Sequence, residues 1–239
     1  MDKSVLTEIK KRLSDSGRTR ILAFGSSNTD RYLYGMHWFD VVNLGMREKY
    51  GAGKTQFINI GISGNTAGDL LNRFHDDAEF YKPHIVFLTI GGNDSNPARG
   101  VTEKQFRENL MLLQKKFSEM GTLVIFQTYY SPDPAQVEKM YLENFYSYMN
   151  TVREIAAATD SGLIDHLKRW ELLRMEDNSR YLKMMLNGFH VNETGNILLG
   201  IDILENLEIK IPDPVPGNMI QSFDEAVENQ KLMDKLGSE

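Results

Sequence analysis

The sequence predicts a doubly wound, parallel α/β domain, and three observations carry that prediction. Short β-branched and apolar runs alternate with longer amphipathic ones along most of the chain, which is the pattern of βαβ units with helical crossovers. The 239 residues, 41% hydrophobic and 25% charged, suffice for one core of about 200 residues with extensions, whereas two full domains would be cramped. Ordinary Gly (19) and few Pro (7) exclude a collagenous or mostly disordered chain.

Residues 5–13 read as a leading amphipathic helix, joined through 14–17 to the first strand. Residues 20–24, 56–60, 84–90 and 122–128 read as strands, with a weaker fifth at 162–165. Between them, 38–50, 67–80, 102–120 and 137–159 show apolar residues at helical spacing. Thr102 with Gln105 forms a capping box, and Gly121 suits a helix stop. Residues 1–17 are thus expected to be a helical extension, 18–210 the main domain, and 211–239 a tail punctuated by Pro212, Pro214 and Pro216. Phe223, Val227, Leu232 and Leu236 make that tail a candidate helix, docked on the core or on a second copy of the chain as a homo-oligomer contact.

Charge and composition narrow the function. Lys+Arg 27 against Asp+Glu 33 leaves a net charge of −6, so no net positive field draws the chain to nucleic acid or to an anionic membrane. Zero Cys removes disulfides, thiolate metal sites and a thiol nucleophile together. No apolar run approaches the ~18 residues of a membrane span, and residues 1–20 show no secretion pattern, so a cytoplasmic location is the expectation.

Several motifs fail on their own chemistry. Gly51-Ala52-Gly53-Lys54-Thr55 resembles a phosphate loop, but Glu48 stands where the first Gly belongs and the segment precedes a strand. His75-Asp76-Asp77 lacks metal-ligand spacing and reads as helix-end polarity, so no metal is expected. His37, His84 and His166 read as structural or exposed.

In a doubly wound sheet, ligands bind at the carboxyl ends of the strands. The loops there contain Gly25-Ser26-Ser27-Asn28-Thr29, Asn59 to Thr66 with Gly64 inside it, Gly91-Gly92-Asn93-Asp94, and a late Asn187-Gly188-Phe189-His190-Val191-Asn192. Each alone is ordinary turn chemistry. Together they supply a hydroxyl, amide donors and an imidazole, the parts that acyl transfer needs.

These four ordered blocks resemble the SGNH hydrolases, the GDSL-type esterase superfamily named for Ser, Gly, Asn and His. In the order of its motifs, Ser27 stands at the nucleophile, Gly64 and Asn93 at the oxyanion positions, and His190 at the base. The resemblance implies a three-layer α/β/α sandwich of flavodoxin-like type with a five-stranded, mostly parallel sheet. It further implies a serine esterase without cofactor, whose oxyanion hole combines the Ser27 and Gly64 backbone N–H groups with the Asn93 side chain. The expected partner is a small-molecule ester, short acyl groups on polar carriers such as O-acetylated carbohydrate being favoured because no long apolar insertion forms a lipid tunnel.

Two positions depart from the family pattern. Ser26 replaces the Asp before the nucleophile, and Asn187 replaces the triad Asp. In a serine protease, an amide at the triad position lowers turnover about 10⁴-fold. Three readings follow: a Ser–His dyad in which Asn187 presents its carbonyl oxygen to His190, a carboxylate recruited from Asp177 or Glu193, or an SGNH-fold protein without catalysis that binds a saccharide or a partner. A flavodoxin-like nucleotide binder is a further rival, sharing the sheet but not the blocks. Arg31, Tyr32, Tyr34, His37 and Trp38 could line the mouth of a site, the alternative being that Trp38 and Phe39 begin a core helix.

Overall fold

In the computed structural model, which describes residues 1–15, 17–31, 35–213 and 220–238, five strands form one parallel sheet. They are β1 (Thr19–Gly25), β2 (Thr55–Asn59), β3 (Ile85–Thr89), β4 (Leu123–Gln127) and β5 (Gly162–Ile164), paired in the order β2-β1-β3-β4-β5. A separate two-stranded hairpin joins β6 (Met185–Asn187) and β7 (His190–Val191). The helices are α1 (Lys3–Ser14), α2 (Trp38–Tyr50), α3 (Ala67–Asn72), α4 (Glu103–Glu119), α5 (Lys139–Ala158), α6 (His166–Glu176), α7 (Asn178–Leu182), α8 (Glu193–Asn206) and α9 (Ile220–Ser238).

The chain divides into two compact units, one comprising Met1–Arg31, Tyr50–Tyr129 and Glu138–Ile164, the other Tyr32–Lys49, Tyr130–Val137 and Asp165–Glu239. The first holds the whole sheet. Its order is that of a flavodoxin-like doubly wound fold, with the chain reversing direction across the sheet between β1 and β3. Ile21, Leu22, Ala23 and Phe24 pair in register with Ile85, Val86, Phe87 and Leu88. All eight are buried, which is why these strands read as continuous apolar runs rather than as alternating ones. Edge strand β2 keeps Gln56 and Asn59 exposed.

Helix α1 buries Val5, Leu6, Ile9 and Leu13, and Arg12 anchors it by donating to the carbonyls of His84 (2.6 Å) and Gly121 (2.8 Å). Helix α4 starts at the expected Thr102–Gln105 capping box and buries Phe106, Leu110, Leu113 and Phe117 at helical spacing. The single helix expected over 67–80 is interrupted: α3 ends at Asn72, a π-helical turn covers Phe74–Ala78 and a 3-10 turn covers Glu79–Tyr81. The wide turn keeps Leu70, Phe74 and Ala78 buried and follows Arg73, whose side chain is committed to the sheet end described below.

In the second unit α8 is the central element. Every residue from Thr194 to Leu204 is buried. Helix α2 crosses α8 closely at Gly200, where a Cβ would stand 2.5 Å from that of Val41. Residues 166–176 and 193–206, not expected as helices, are both helical: α6 buries His166, Leu167, Trp170 and Leu173 along one face, whereas α8 is buried all round. Within the residues expected as a tail, Ile220–Ser238 form α9, which buries Phe223, Ala226 and Met233, with Val227, Leu232 and Leu236 at the margin. His166 is buried rather than exposed, with Nδ1 2.6 Å from Asp202 Oδ2. Arg169 bridges Asp202 to Asp234, so charge pairs tie α6, α8 and α9 together.

Candidate active site

Strand order alone puts the nucleophile position between the two oxyanion positions, because β1 lies between β2 and β3. Ser27 follows β1, Gly64 follows β2 and Asn93 follows β3. After Gly25, the N–H groups of Thr29 and Asp30 both donate to the Ser26 carbonyl, at 2.9 and 2.8 Å. The chain therefore makes one helical turn with half-buried Ser27 at its head. Only Gly suits position 25, where a Cβ would meet Thr29 Oγ1 at 2.3 Å and the Thr89 carbonyl at 2.4 Å.

The Gly64 loop is a hydrogen-bonded turn, Asn65 N donating to the Ile62 carbonyl at 3.3 Å. Gly64 is its third residue with φ +83°, the left-handed value that a type II turn requires there and that favours glycine. Asp30 fastens this loop to the nucleophile turn by accepting from Ser63 N (3.0 Å) and Ser63 Oγ (2.7 Å). Asn93 Nδ2 donates to the Asn65 carbonyl at 2.9 Å, an acceptor that identifies the amino end of the side chain and leaves that nitrogen a second N–H.

Two residues in this unit were not singled out from sequence. Arg73 donates to Asn65 Oδ1 (2.8 Å) and to the Gly25 carbonyl (3.3 Å), pairs with Asp77 (2.9 Å), and lies 4.6 Å from the Phe24 ring centroid. It thereby braces the ends of β1 and the Gly64 loop from behind. Asp94 is buried and accepts from Ala67 N at 2.8 Å, and burial pushes its carboxyl up to about 6. An arginine within a run read as one helix and an Asp two positions after a Gly-Gly pair give no periodic signal, so neither role is visible in the chain.

The second unit carries the late block. Asn187 ends β6 and His190 begins β7. Asn187 Oδ1 accepts from Phe189 N (2.9 Å) and His190 N (3.0 Å), and stands 3.0 Å from His190 Nδ1. Two backbone donors on one atom identify it as the oxygen, so the ring nitrogen facing it carries the proton. The neutral imidazole is then the Nδ1–H tautomer, and Nε2 keeps its lone pair. Burial holds His190 below the ordinary histidine pKa. Asp177 instead caps α7, accepting from Arg180 N (3.0 Å) and Ser179 Oγ (2.8 Å). Glu193 accepts from Met36 N (2.9 Å) and Ser222 Oγ (3.2 Å). Of the expected partners for His190, Asn187 is the one that this hairpin brings to it.

The aromatic mouth is corrected in part. His37, Trp38 and Phe39 are buried at the start of α2, so they belong to the core. Arg31 is exposed, and Tyr32 and Tyr34 lie outside the described residues.

The model of the GDSL-like Lipase/Acylhydrolase family matches residues 23–197. The chain belongs to this family. The matched span contains Ser27, Gly64, Asn93, Asn187 and His190. Among curated proteins, the uncharacterised lipoprotein YqeF of Bacillus subtilis (strain 168) is 28% identical over 123 residues, 47% of this chain. The match spans 49% of that relative's length. Solved structures share the fold. The acetyl xylan esterase AlAXEase superposes with a TM-score of 0.70 at 20% identity, over 78% of this chain and 98% of its own. The acetylxylan esterase Axe2 of Geobacillus stearothermophilus gives 0.70 at 21% identity, over 82% and 97%. Solved forms of Axe2 include catalytic mutants of one serine and of one aspartate. Among the described residues no helix is long and apolar enough to cross a membrane.

Proposed function

We propose that this family member is a serine esterase that removes short acyl groups from polar carriers, O-acetylated carbohydrate being the favoured class. The observation that carries the reading is that Ser27 follows β1, the strand between those that lead to Gly64 and Asn93. An ester carbonyl attacked by Ser27 Oγ would direct its developing oxyanion at the Ser27 and Gly64 backbone N–H groups and the second N–H of Asn93. His190 Nε2 takes the hydroxyl proton, and the tetrahedral adduct collapses with that proton passing to the departing alcohol. Water, deprotonated by the same nitrogen, then attacks the acyl-serine and releases the carboxylic acid and free Ser27. This cycle requires Ser27 Oγ and His190 Nε2 to come within proton-transfer reach.

Asn187 supplies orientation without charge. It holds the productive tautomer but offers no carboxylate to stabilise the imidazolium, so the reading is of a Ser–His dyad supported by an amide oxygen. The acetyl xylan esterases among the structural neighbours support the carbohydrate preference. A fluorophosphonate probe separates the esterase from a non-catalytic saccharide binder: labelling of Ser27, with hydrolysis of acetylated xylo-oligosaccharides and of p-nitrophenyl esters declining with acyl length, is the expected outcome. Equal hydrolysis by wild type and Ser27→Ala would overturn it.

A further inference from the structure

We infer that Tyr129 is a positioning residue for acyl transfer: its hydroxyl bonds Ser26 while its ring seats on Gly92, so one side chain sets the nucleophile turn and the oxyanion loop in a common geometry. The inference rests on the assignment of Ser27 and Asn93 given above, and concerns the residue immediately before each. Tyr129 follows β4, the strand next to β3. Its hydroxyl lies 2.8 Å from Ser26 Oγ, and both residues are at least 96% buried, at 4% and 1% exposure. Water therefore does not compete for the bond, and losing one partner would strand a buried polar atom.

The ring contact is as close as the bond. A Cβ on Gly92 would stand 2.1 Å from Tyr129 Cε2, so the ring occupies the space a side chain there would take. The Gly92 carbonyl is gripped in turn by Tyr141 Oη (2.8 Å) and Ser95 Oγ (2.9 Å). Tyr129 is itself held, its N–H on Met149 Sδ at 3.3 Å and its ring stacked on Phe145 with centroids 6.1 Å apart. Burial raises the phenol pKa, so the group is a neutral hydroxyl at any working pH. The family's Asp at position 26 would place a charge in this dry contact, where an uncompensated carboxylate is costly. Ser26 and Tyr129 make the link with two neutral groups instead.

The test uses Tyr129→Phe, which keeps the ring and removes only the hydroxyl, Ser26→Ala, which removes the same bond from the other side, and the double variant. Turnover of p-nitrophenyl acetate is expressed per active site titrated with fluorophosphonate, so that loss of folded protein does not count as loss of rate. Each single change is expected to lower kcat about tenfold or more with KM within about twofold, since a displaced donor acts on the transition state. The double variant should be no slower than the slower single, the non-additivity expected of one shared bond. If Tyr129→Phe fails to fold, Ser26→Ala alone decides by the same kcat criterion. Labelled wild type with Tyr129→Phe, or failing that Ser26→Ala, at undiminished kcat would overturn the role of Tyr129 alone, as would a double-variant loss equal to the product of the singles. Wild type that is neither labelled at Ser27 nor active on esters would overturn the nucleophile assignment and this inference with it.

Discussion

Asn187 presents its amide oxygen to His190 Nδ1 at 3.0 Å, and two backbone N–H groups fix that oxygen in place. The usual harm of an amide at a triad position is that it stabilises the wrong imidazole tautomer. Here the hairpin prevents that error, because the amide can turn its NH₂ toward the ring only by abandoning two backbone donors. The missing element is charge, and charge is what a single substitution restores.

Asn187→Asp is therefore expected to raise kcat, by roughly tenfold or more, short of the full ~10⁴ that separates Asp from Asn where the tautomer is also wrong. Steady-state hydrolysis of p-nitrophenyl acetate by the two proteins at one pH checks it. An unchanged rate would mean that imidazolium stabilisation is already supplied by another group.

The pH profile should carry the same signature. The neutral imidazole is the working base, and burial lowers the His190 pKa, so the acidic limb of kcat/KM should lie below the ~6.5 of an ordinary histidine. A carboxylate beside the ring favours its protonated form, so in Asn187→Asp the limb should move to higher pH. Profiles measured from pH 4 to 9 on both proteins give the two midpoints.

Asn93→Ala removes a donor aimed where charge develops, and a loss of about 10²–10³ in kcat with little change in KM is the expected outcome. Asn65 bonds Asn93 through its backbone carbonyl, so Asn65→Ala should do far less by this route. Loss of its contact with Arg73 is the remaining cost, and kinetics of the pair separate orientation of the donor from its presence.

The charge network of the second unit predicts a stability effect. Asp202 is fully buried between His166 and Arg169. Burial pushes its carboxyl pKa up, but the hydrogen bonds and charges of His166 and Arg169 outweigh that, and it titrates below its usual range. Such a group stabilises the fold above the unfolded value of about 3.9 and ceases to as pH falls through the folded one. Asp202→Asn should cost about 3 kcal/mol at pH 7, the lower end for a broken buried pair because Arg169 retains some solvent. In urea titrations the difference from wild type should shrink below about pH 4.

Much of the fold was legible in the chain because its signals are local. The strands of the sheet appear within a residue or so of their expected bounds, since parallel strands covered on both faces must be short apolar runs, and α4 begins at its capping box because Thr102 and Gln105 are three positions apart. Helix α8 was not legible: it is buried on all sides, so its apolar residues have no polar face to be periodic against. The break after α3 was hidden for a related reason, since Leu70, Phe74 and Ala78 keep helical spacing through a turn of different pitch.

The sequence by itself determined the class of fold, the four ordered blocks and the residue types they offer, because each is written in neighbouring positions. Only the tertiary structure decided that Asn187 turns its oxygen and not its nitrogen toward His190, that Trp38 serves the core, and that Tyr129 meets Ser26 across 103 positions. Those outcomes depend on which strands lie side by side and which backbone donors converge on one atom. Such relations arise when distant segments pack and leave no periodic trace along the chain.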